Sequence, residues 1–194
     1  MARCANFDFD NQLKYVQSGY VNYMEVNHKN LDILEKQLRE SVVKATRDLR
    51  DKKITLGFAE SCTGGLLSSL FTEQAGVSDV FMGAVICYSN VLKEKLLGVK
   101  PQTLNSVGAV SSESAKQMAE GCVKQLDVKL SVSLTGIAGP SGGTPLKPVG
   151  TVFIAVAGLE CEAKVFEHHF KGDRKQIQLQ ACVEAVRHLT EFSM

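Results

Sequence analysis

The chain has 194 residues, of which 44% are hydrophobic, and its 22 basic and 21 acidic side chains give a formal net charge of +1. A chain of this length and composition can bury the core of one ordinary domain. The near-balance of mixed charges argues against a nucleic-acid-binding surface and against attachment to an anionic membrane. A small anionic ligand remains compatible with it, because one arginine or a few backbone amides can hold such a ligand locally.

The cysteines and the hydropathy pattern indicate the compartment. Six cysteines occur singly, with no C-x-x-C pair and no nearby Cys/His set at zinc spacing. Cys87, Cys122 and Cys182 lie within apolar patterns, which suits reduced, buried thiols. The sequence contains no apolar run long enough to cross a bilayer, and its N-terminus lacks the regions of a signal peptide. We therefore expect a cytoplasmic protein.

The N-terminal region differs from the rest of the chain. Residues 1–28 show no sustained hydrophobic period, so we expect an extension at residues 1–28 followed by a single domain at residues 29–194. Met24 precedes the first convincing helix and is an alternative start. N-terminal sequencing of protein from its native source tests this hypothesis, because an intact Met1 end would contradict it.

The first half of the domain is predicted to alternate helices with strands. Asn30 is a candidate N-cap for a first helix, in which apolar residues recur every three or four positions. β-branched and aromatic runs then predict buried strands, and Gly-rich turns separate them from further helices. The predicted elements are strand 54–59, helix 66–74, strand 80–88 and helix 89–97.

The second half adds a helix, a strand, a hairpin and a final helix. Ser111 or Ser112 is predicted to cap a helix that continues to Leu126, and Asp173 is predicted to cap the last helix. The other predicted elements are strand 129–135, a Gly- and Pro-rich loop at 136–145, and hairpin strands 149–157 and 161–170. This order predicts an α/β fold, a three-layer α/β/α sandwich with a mixed sheet.

Residues 59–65 place a serine on a turn between a strand and a helix. Ser61 is expected at the sheet edge beside a helix N-terminus, whose free amides can stabilise an oxyanion or bind an anion. Gly64 and Gly65 allow a ligand to approach the backbone closely. The alternative is structural, with Ser61 or Thr63 acting only as the helix cap.

A tyrosine and a lysine flank the start of the next helix. Lys93 is predicted to lie in its first turn, where the helix dipole and partial burial both lower the pKa of the amine. A neutral Lys93 can accept the proton of Ser61, with Tyr88 relaying the proton or orienting the pair. The alternative is a solvated surface lysine beside a half-buried tyrosine.

Two further segments are suited to anion binding. Thr135 and the Gly-rich residues 136–143 can present successive N–H groups as an anion nest, although they match neither the P-loop nor G-x-G-x-x-G. Arg174 begins the last helix, where a fixed cation and helix amides suit a phosphate. A plain turn and an ordinary cap with a solvated arginine are the alternatives.

Six segments, in this order along the chain, resemble the CinA C-terminal domain family. The resemblance covers the chain from about residue 30 to the C-terminus, and six ordered motifs are far more specific than any one of them. They are residues 59–65 (AESCTGG), 88–93 (YSNVLK), 108–111 (GAVS), 135–140 (TGIAGP), 147–152 (KPVGTV) and 172–174 (GDR).

The resemblance implies a nicotinamide-nucleotide amidohydrolase of pyridine nucleotide salvage, which converts nicotinamide mononucleotide (NMN) and water into nicotinate mononucleotide and ammonia without metal or cofactor. It implies that Ser61 is the nucleophile, Lys93 its base, Tyr88 a helper in proton transfer, and Thr135 a substrate or oxyanion contact. The residues that it places at the substrate are Glu60, Cys62, Thr63, Gly64, Gly136, Ala138, Gly139 and Arg174. The expected partner is this small nucleotide, and we expect a homo-oligomer.

Two features of the sequence depart from the family's pattern. Ser141 stands where the family usually has an aspartate after Gly-Pro, so any contact of that carboxylate is not carried over. Larger relatives carry a separate N-terminal nucleotide-processing domain, which residues 1–28 are too short to form. Activities of that domain are not carried over either.

Two rival hypotheses remain. Cys62 is a candidate nucleophile because a thiol beside a helix N-terminus can have a lowered pKa, and retained activity of Cys62→Ala would exclude it. The histidines, namely His28, His168, His169 and His188, lie far from it in sequence, and His168 and His169 are interpreted as alternating strand residues. The other rival is a catalytically silent nucleotide-binding or partner-binding protein, against which the serine, lysine, tyrosine and threonine argue.

Overall fold

The structure, a computed structural model, describes residues 31–158 and 161–193. The chain divides into two compact units, Met1–Lys36 and Gln37–Met194. The expected extension at residues 1–28, the alternative start and the Asn30 cap all lie outside the described residues.

A five-stranded mixed sheet forms the centre of the second unit. Its strands are β1 (Leu56–Glu60), β2 (Phe81–Ile86), β3 (Leu130–Gly136), β4 (Thr151–Gly158) and β5 (Lys164–His169). They lie in the order β2-β1-β3-β4-β5. β1 pairs in parallel with β2 and β3, whereas β4 is antiparallel to both β3 and β5. The mixed sheet predicted from the sequence is confirmed.

Helices cover both faces of the sheet. They are α1, described over residues 31–51, α2 (Leu66–Thr72), α3 (Asn90–Leu97), α4 (Pro101–Ser106), α5 (Ser112–Leu126) and α6 (Arg174–Phe192). Helix α5 packs on β1, β3 and β4, and α3 and α4 pack against α5. Helix α6 packs on β3 and β4 and contacts α2. Gln74, just after α2, donates to the Thr46 hydroxyl of α1 at 3.0 Å. The structure is therefore the predicted three-layer sandwich.

Most helix starts follow the predicted local chemistry. The Ser111 hydroxyl accepts from the Ser114 amide at 3.2 Å, which settles the choice between two predicted serines for α5. Asp173 caps α6 in a reciprocal capping box with Gln176. Helix α4 and a short 3₁₀ helix at Val77–Asp79 were not predicted.

Alternating side chains of the strands fill the two halves of the core. Phe58 of β1 packs edge-on against Phe71 of α2, with ring centroids 4.9 Å apart. Its neighbour Ala59 belongs to the opposite cluster, together with Met118 and Cys122 of α5. Both faces of β1 are thus buried, so its carboxyl end is held firmly. Among the described residues, no helix combines the length and the apolarity that crossing a membrane requires.

Candidate active site

A cavity of about 220 Å³ lies where the carboxyl ends of the three parallel strands meet. Such an edge is where open α/β sheets usually bind ligands. The lining residues are Ser61, Cys62, Tyr88, Asn90, Lys93, Ala109, Val110, Thr135, Gly136, Ala138 and Arg174. All four residues that the sequence nominates for catalysis line this one cavity.

Ser61 and Lys93 are in direct contact in its wall. The Lys93 Nζ donates to the Ser61 Oγ at 2.9 Å and to the Cys87 carbonyl at 2.8 Å. Lys93 is only 1% exposed, so it is not the solvated surface lysine of the alternative hypothesis. Its burial lowers the pKa of the amine. A neutral amine at the same distance can accept the hydroxyl proton of Ser61.

Helix α3 brings this lysine to the site. Ser89 caps the helix by accepting the Leu92 amide, and the left-handed Gly98 ends it, so α3 is a short, well-defined helix. Lys93 and Leu97, four residues apart, are its buried side chains. The helix therefore turns the lysine inward, towards the end of β1.

The turn that carries Ser61 is fixed from both sides. The Ser61 amide donates to the Leu134 carbonyl at 3.0 Å, and the Gln178 side chain donates to the Cys62 carbonyl at 2.8 Å. Within the described part of the chain, no backbone carbonyl accepts the amides of Cys62 and Thr63. These two amides next to the nucleophile are therefore candidates to stabilise an oxyanion.

Glu60 has a different role from the substrate contact that was expected. Its carboxylate is fully buried and accepts the amides of Gly65 at 2.9 Å, Leu67 at 3.3 Å and Ser68 at 2.8 Å. Gly65 is the N-cap of α2 and provides no side-chain bond, so neither Ser61 nor Thr63 caps this helix. The alternative in which Ser61 or Thr63 serves only as the helix cap is wrong, because Glu60 supplies the missing acceptors from the preceding strand.

The other expected substrate contacts divide into two groups. Cys62, Gly136, Ala138 and Arg174 line the cavity, whereas Thr63, Gly64 and Gly139 do not. Gly136 must be a glycine, because a Cβ would lie 2.7 Å from the Thr151 carbonyl oxygen. The Thr135 Oγ donates to the Ala109 carbonyl at 2.8 Å, which ties the end of β3 to the loop before α5.

Arg174 links two segments at the mouth of the cavity. Its Nη1 donates to the Gly139 carbonyl at 2.9 Å, and its Nη2 donates to the Tyr88 hydroxyl at 3.0 Å. The Tyr88 side chain is 62% exposed, and its hydroxyl is bonded to Arg174 rather than to Lys93 or Ser61. Tyr88 thus positions the arginine, and the guanidinium is an oriented cation rather than a freely solvated one.

The thiol of Cys62 is a poor nucleophile in this setting. Burial raises the pKa of Cys62 to about 12, with the charge of Glu60 acting in the same direction. A thiol with such a pKa stays protonated near neutral pH, and the thiolate is the reactive form. The structure therefore favours Ser61 over Cys62.

Sequence reasoning did not select four residues of the site. Asn90, Ala109 and Val110 line the cavity, and Gln178 holds the turn after Ser61. The first three belong to segments already recognised as motifs, which was the available signal. Gln178 lies one turn after Arg174 on α6, so helical spacing could have suggested it.

The fold and the site define an α/β domain with a serine–lysine pair at the edge of a mixed sheet. A family model described as "CinA C-terminal domain" matches residues 35–193. The chain belongs to this family, and the resemblance noted from its motifs is confirmed.

Sequence relatives support the assignment to this family. The chain is 47% identical over 158 residues to a "CinA-like protein" of Thermotoga maritima, a match covering 81% of this chain and 38% of that protein. A "putative competence-damage inducible protein" of Halothermothrix orenii is 47% identical over 128 residues, which is 66% of this chain and 31% of that protein. The chain thus spans less than two fifths of the length of these relatives.

Two crystal structures illustrate the shared fold. The competence/damage inducible protein CihA from Agrobacterium tumefaciens superposes with a TM-score of 0.79 at 34% identity, covering 81% of this chain and 96% of that one. A CinA superfamily protein from Klebsiella pneumoniae superposes with a TM-score of 0.77 at 29% identity, covering 80% of this chain and 97% of that one.

Proposed function

We propose that this protein deamidates NMN to nicotinate mononucleotide, in pyridine nucleotide salvage, with Ser61 as nucleophile and Lys93 as its base. The observation that carries this proposal is the 2.9 Å contact between the buried Lys93 amine and the Ser61 hydroxyl in the wall of a cavity. A lysine whose pKa is lowered by burial is suited to activate a serine.

The reaction follows from the positions of these groups. Lys93 takes the hydroxyl proton as the Ser61 Oγ attacks the carboxamide carbon, and the amides of Cys62 and Thr63 stabilise the oxyanion. The Lys93 ammonium returns the proton to the amide nitrogen, the C–N bond breaks, and ammonia leaves. Lys93 then deprotonates a water molecule that attacks the acyl-enzyme. The ester bond breaks, and the Lys93 ammonium returns the proton to the Ser61 Oγ, which releases the carboxylate product and restores both residues.

The mouth of the cavity supplies the contacts for the nucleotide. Arg174 presents a guanidinium already oriented by Gly139 and Tyr88, and a guanidinium pairs well with phosphate. Phosphate binding at a distance from the carboxamide contributes binding energy that positions the reacting group. Nicotinamide without ribose phosphate should therefore be a poor substrate.

The first test is ammonia release from NMN by chelator-treated protein, with Ser61→Ala beside the matched control Ser69→Ala. Ser69 is an exposed serine of α2 outside the cavity, so its loss leaves the site intact. We expect Ser61→Ala to lose at least about 1,000-fold in kcat and Ser69→Ala to keep full activity.

Two results would contradict the proposal. Equal activity of Ser61→Ala and Ser69→Ala would exclude Ser61 as the nucleophile. Calorimetric binding of NMN with no ammonia release would instead favour a catalytically silent nucleotide-binding protein.

A further inference from the structure

A second cluster of reactive side chains lies between β5 and α6, outside the cavity. The Nε2 atoms of His168 and His188 are 3.0 Å apart, and the Glu184 Oε2 is 3.8 Å from the His188 Nε2. One ligand atom from each of these three residues lies within 4.8 Å of the other two. Neither strand nor helix needs to move to bring the three groups together.

Aromatic stacking fixes both imidazole rings. His188 is 3% exposed and lies flat on Phe166, with ring centroids 3.5 Å apart and planes 7° apart. His168 stacks on Phe170 with centroids 5.2 Å apart and planes 6° apart. Rings held in this way lose little conformational freedom when they bind a ligand.

The charges around the cluster show that it already attracts a cation. The Arg187 Nη2 lies 2.6 Å from the Glu184 Oε2 and 3.2 Å from the His188 Nε2. Arg187 also bonds Glu184 through its Nε at 2.8 Å and Glu191 through its Nη1 at 2.7 Å, so a metal ion would displace its two bonds to Glu184 while the bond to Glu191 could remain. The His188 Nδ1 is buried without a hydrogen-bond partner, and the Glu191 Oε2 lies 3.6 Å from it, so a small shift of that carboxylate would let it orient a metal-bound imidazole.

We propose that His168, Glu184 and His188 bind a divalent transition-metal ion such as Zn²⁺, with water completing the coordination. Two imidazole nitrogens at about 2.1 Å from a tetrahedral ion lie about 3.4 Å apart, so the rings would have to separate by only about 0.4 Å from their present 3.0 Å contact. Imidazole ligands select zinc-like ions over Mg²⁺ or Ca²⁺, which prefer oxygen ligands.

The role of this ion is structural. His188 follows Gln178, which holds the turn after Ser61, by ten residues on the same helix, about 15 Å along its axis. The three ligands lie outside the cavity, so the ion takes no part in the deamidation. It fastens the edge strand β5 to α6, the helix that carries Arg174 and Gln178 into the active site. The inference is independent of the proposed reaction.

Calorimetric titration of the full, chelator-treated chain with Zn²⁺ tests the site. The matched control for His168→Gln is His169→Gln, because His169 is the next residue of β5 and its ring contacts Glu167 rather than the cluster. We expect one equivalent of Zn²⁺ to bind, at least about tenfold weaker in His168→Gln and unchanged in His169→Gln. Arg187→Gln should bind more tightly, because it removes the competing cation.

Visible absorption of bound Co²⁺ gives a second readout that reports on the ligands directly. The band should be present in the wild type and in His169→Gln and be lost in His168→Gln. If His168→Gln does not fold, Glu184→Gln carries the same expectation, since Glu184 is a partly exposed helix position. The absence of stoichiometric binding, or equal binding by the ligand and control variants, would overturn the proposal.

Discussion

Lys93 is a basic side chain with almost no access to water, and its partners determine its protonation state. The groups that it contacts, the Ser61 hydroxyl and the Cys87 carbonyl, are both uncharged. The nearby carboxylate of Glu60 is engaged by the amides of α2. A buried ammonium without a paired anion is unfavourable, so the neutral amine is favoured. The lysine is therefore suited to act as a base.

The pH dependence of kcat/KM for NMN should report this lysine. The base works only when neutral, so the rate should rise with pH and level off above the pKa of Lys93. Because burial lowers that pKa, the plateau should begin below the ordinary lysine value of 10.5. Lys93→Met should abolish the activity, while Lys95→Met, at an exposed position of the same helix, should keep the profile. A wild-type rise centred on the ordinary lysine value would contradict this prediction.

Residue types at strand ends were sufficient to predict part of the site. Ser61, Lys93 and Arg174 were selected because each follows a strand or begins a helix, and each lines the cavity. Burial of Lys93 could not be predicted from sequence, because it depends on how α3 docks on α5. Glu60 was expected at the substrate from the family resemblance. Its role at the start of α2 could not be predicted, because a sequence does not show which backbone amides need an acceptor.

Helix α2 is a short element whose start depends on a residue outside it. Its N-cap is a left-handed glycine, and the first turn contains no acidic side chain. Glu60, at the end of β1, satisfies three amides of this helix start instead. Carboxylate oxygens near a helix N-terminus also interact favourably with its dipole. Glu60 thus connects the strand, the Ser61 turn and the helix into one rigid unit.

Glu60→Gln should destabilise this unit. The side-chain amide keeps one acceptor oxygen and turns its NH₂ donor towards backbone N–H donors, so buried groups lose their partners. We expect a loss of about 2 kcal/mol in the free energy of unfolding, measured by urea denaturation. Glu94→Gln, at an exposed position of α3, is the matched control and should change stability by less than about 0.5 kcal/mol. Equal midpoints for the two variants would refute the capping role.

Element types were predicted better than element ends. Strand β2 was predicted at residues 80–88 and forms at Phe81–Ile86, because the chain turns towards α3 at Cys87. Helix α4 was missed because it has only six residues, too few for a hydrophobic period to show, and it begins with Pro101. A proline fits the first turn because the amide there has no helical partner. Short elements of this kind depend on docking more than on sequence period.

The candidate active site is formed by residues from segments that are far apart in the sequence. Ser61 follows β1, Lys93 lies on α3, Thr135 on β3 and Arg174 on α6. The parallel strands bring these distant positions to one edge of the sheet. Local patterns predicted each segment separately but gave no distance between them. The ordered motifs of a family supplied that connection. The His168, Glu184 and His188 cluster had no such motif, because its members meet only when α6 docks beside β5.

Substitution of Arg174, which joins two of these segments, should measurably weaken substrate binding. Its guanidinium holds the loop at Gly139 and the hydroxyl of Tyr88 at once. A lysine keeps the charge but lacks the planar set of donors that such an arrangement requires. Arg174→Lys should therefore raise KM for NMN about tenfold with a small change in kcat, which corresponds to loss of one charged hydrogen bond.

A substrate without phosphate can show whether Arg174→Lys impairs phosphate binding or damages the cavity wall. Turnover of nicotinamide riboside should change little in Arg174→Lys, because this substrate has no phosphate for the guanidinium or the lysine to bind. Arg47→Lys, at an exposed position of α1, should behave as wild type with both substrates. An equal loss with NMN and with the riboside would show instead that Arg174 supports the cavity wall through Gly139 and Tyr88. The phosphate would then have to be bound elsewhere, with the amides of the Gly-rich loop as the remaining donors at this edge of the sheet.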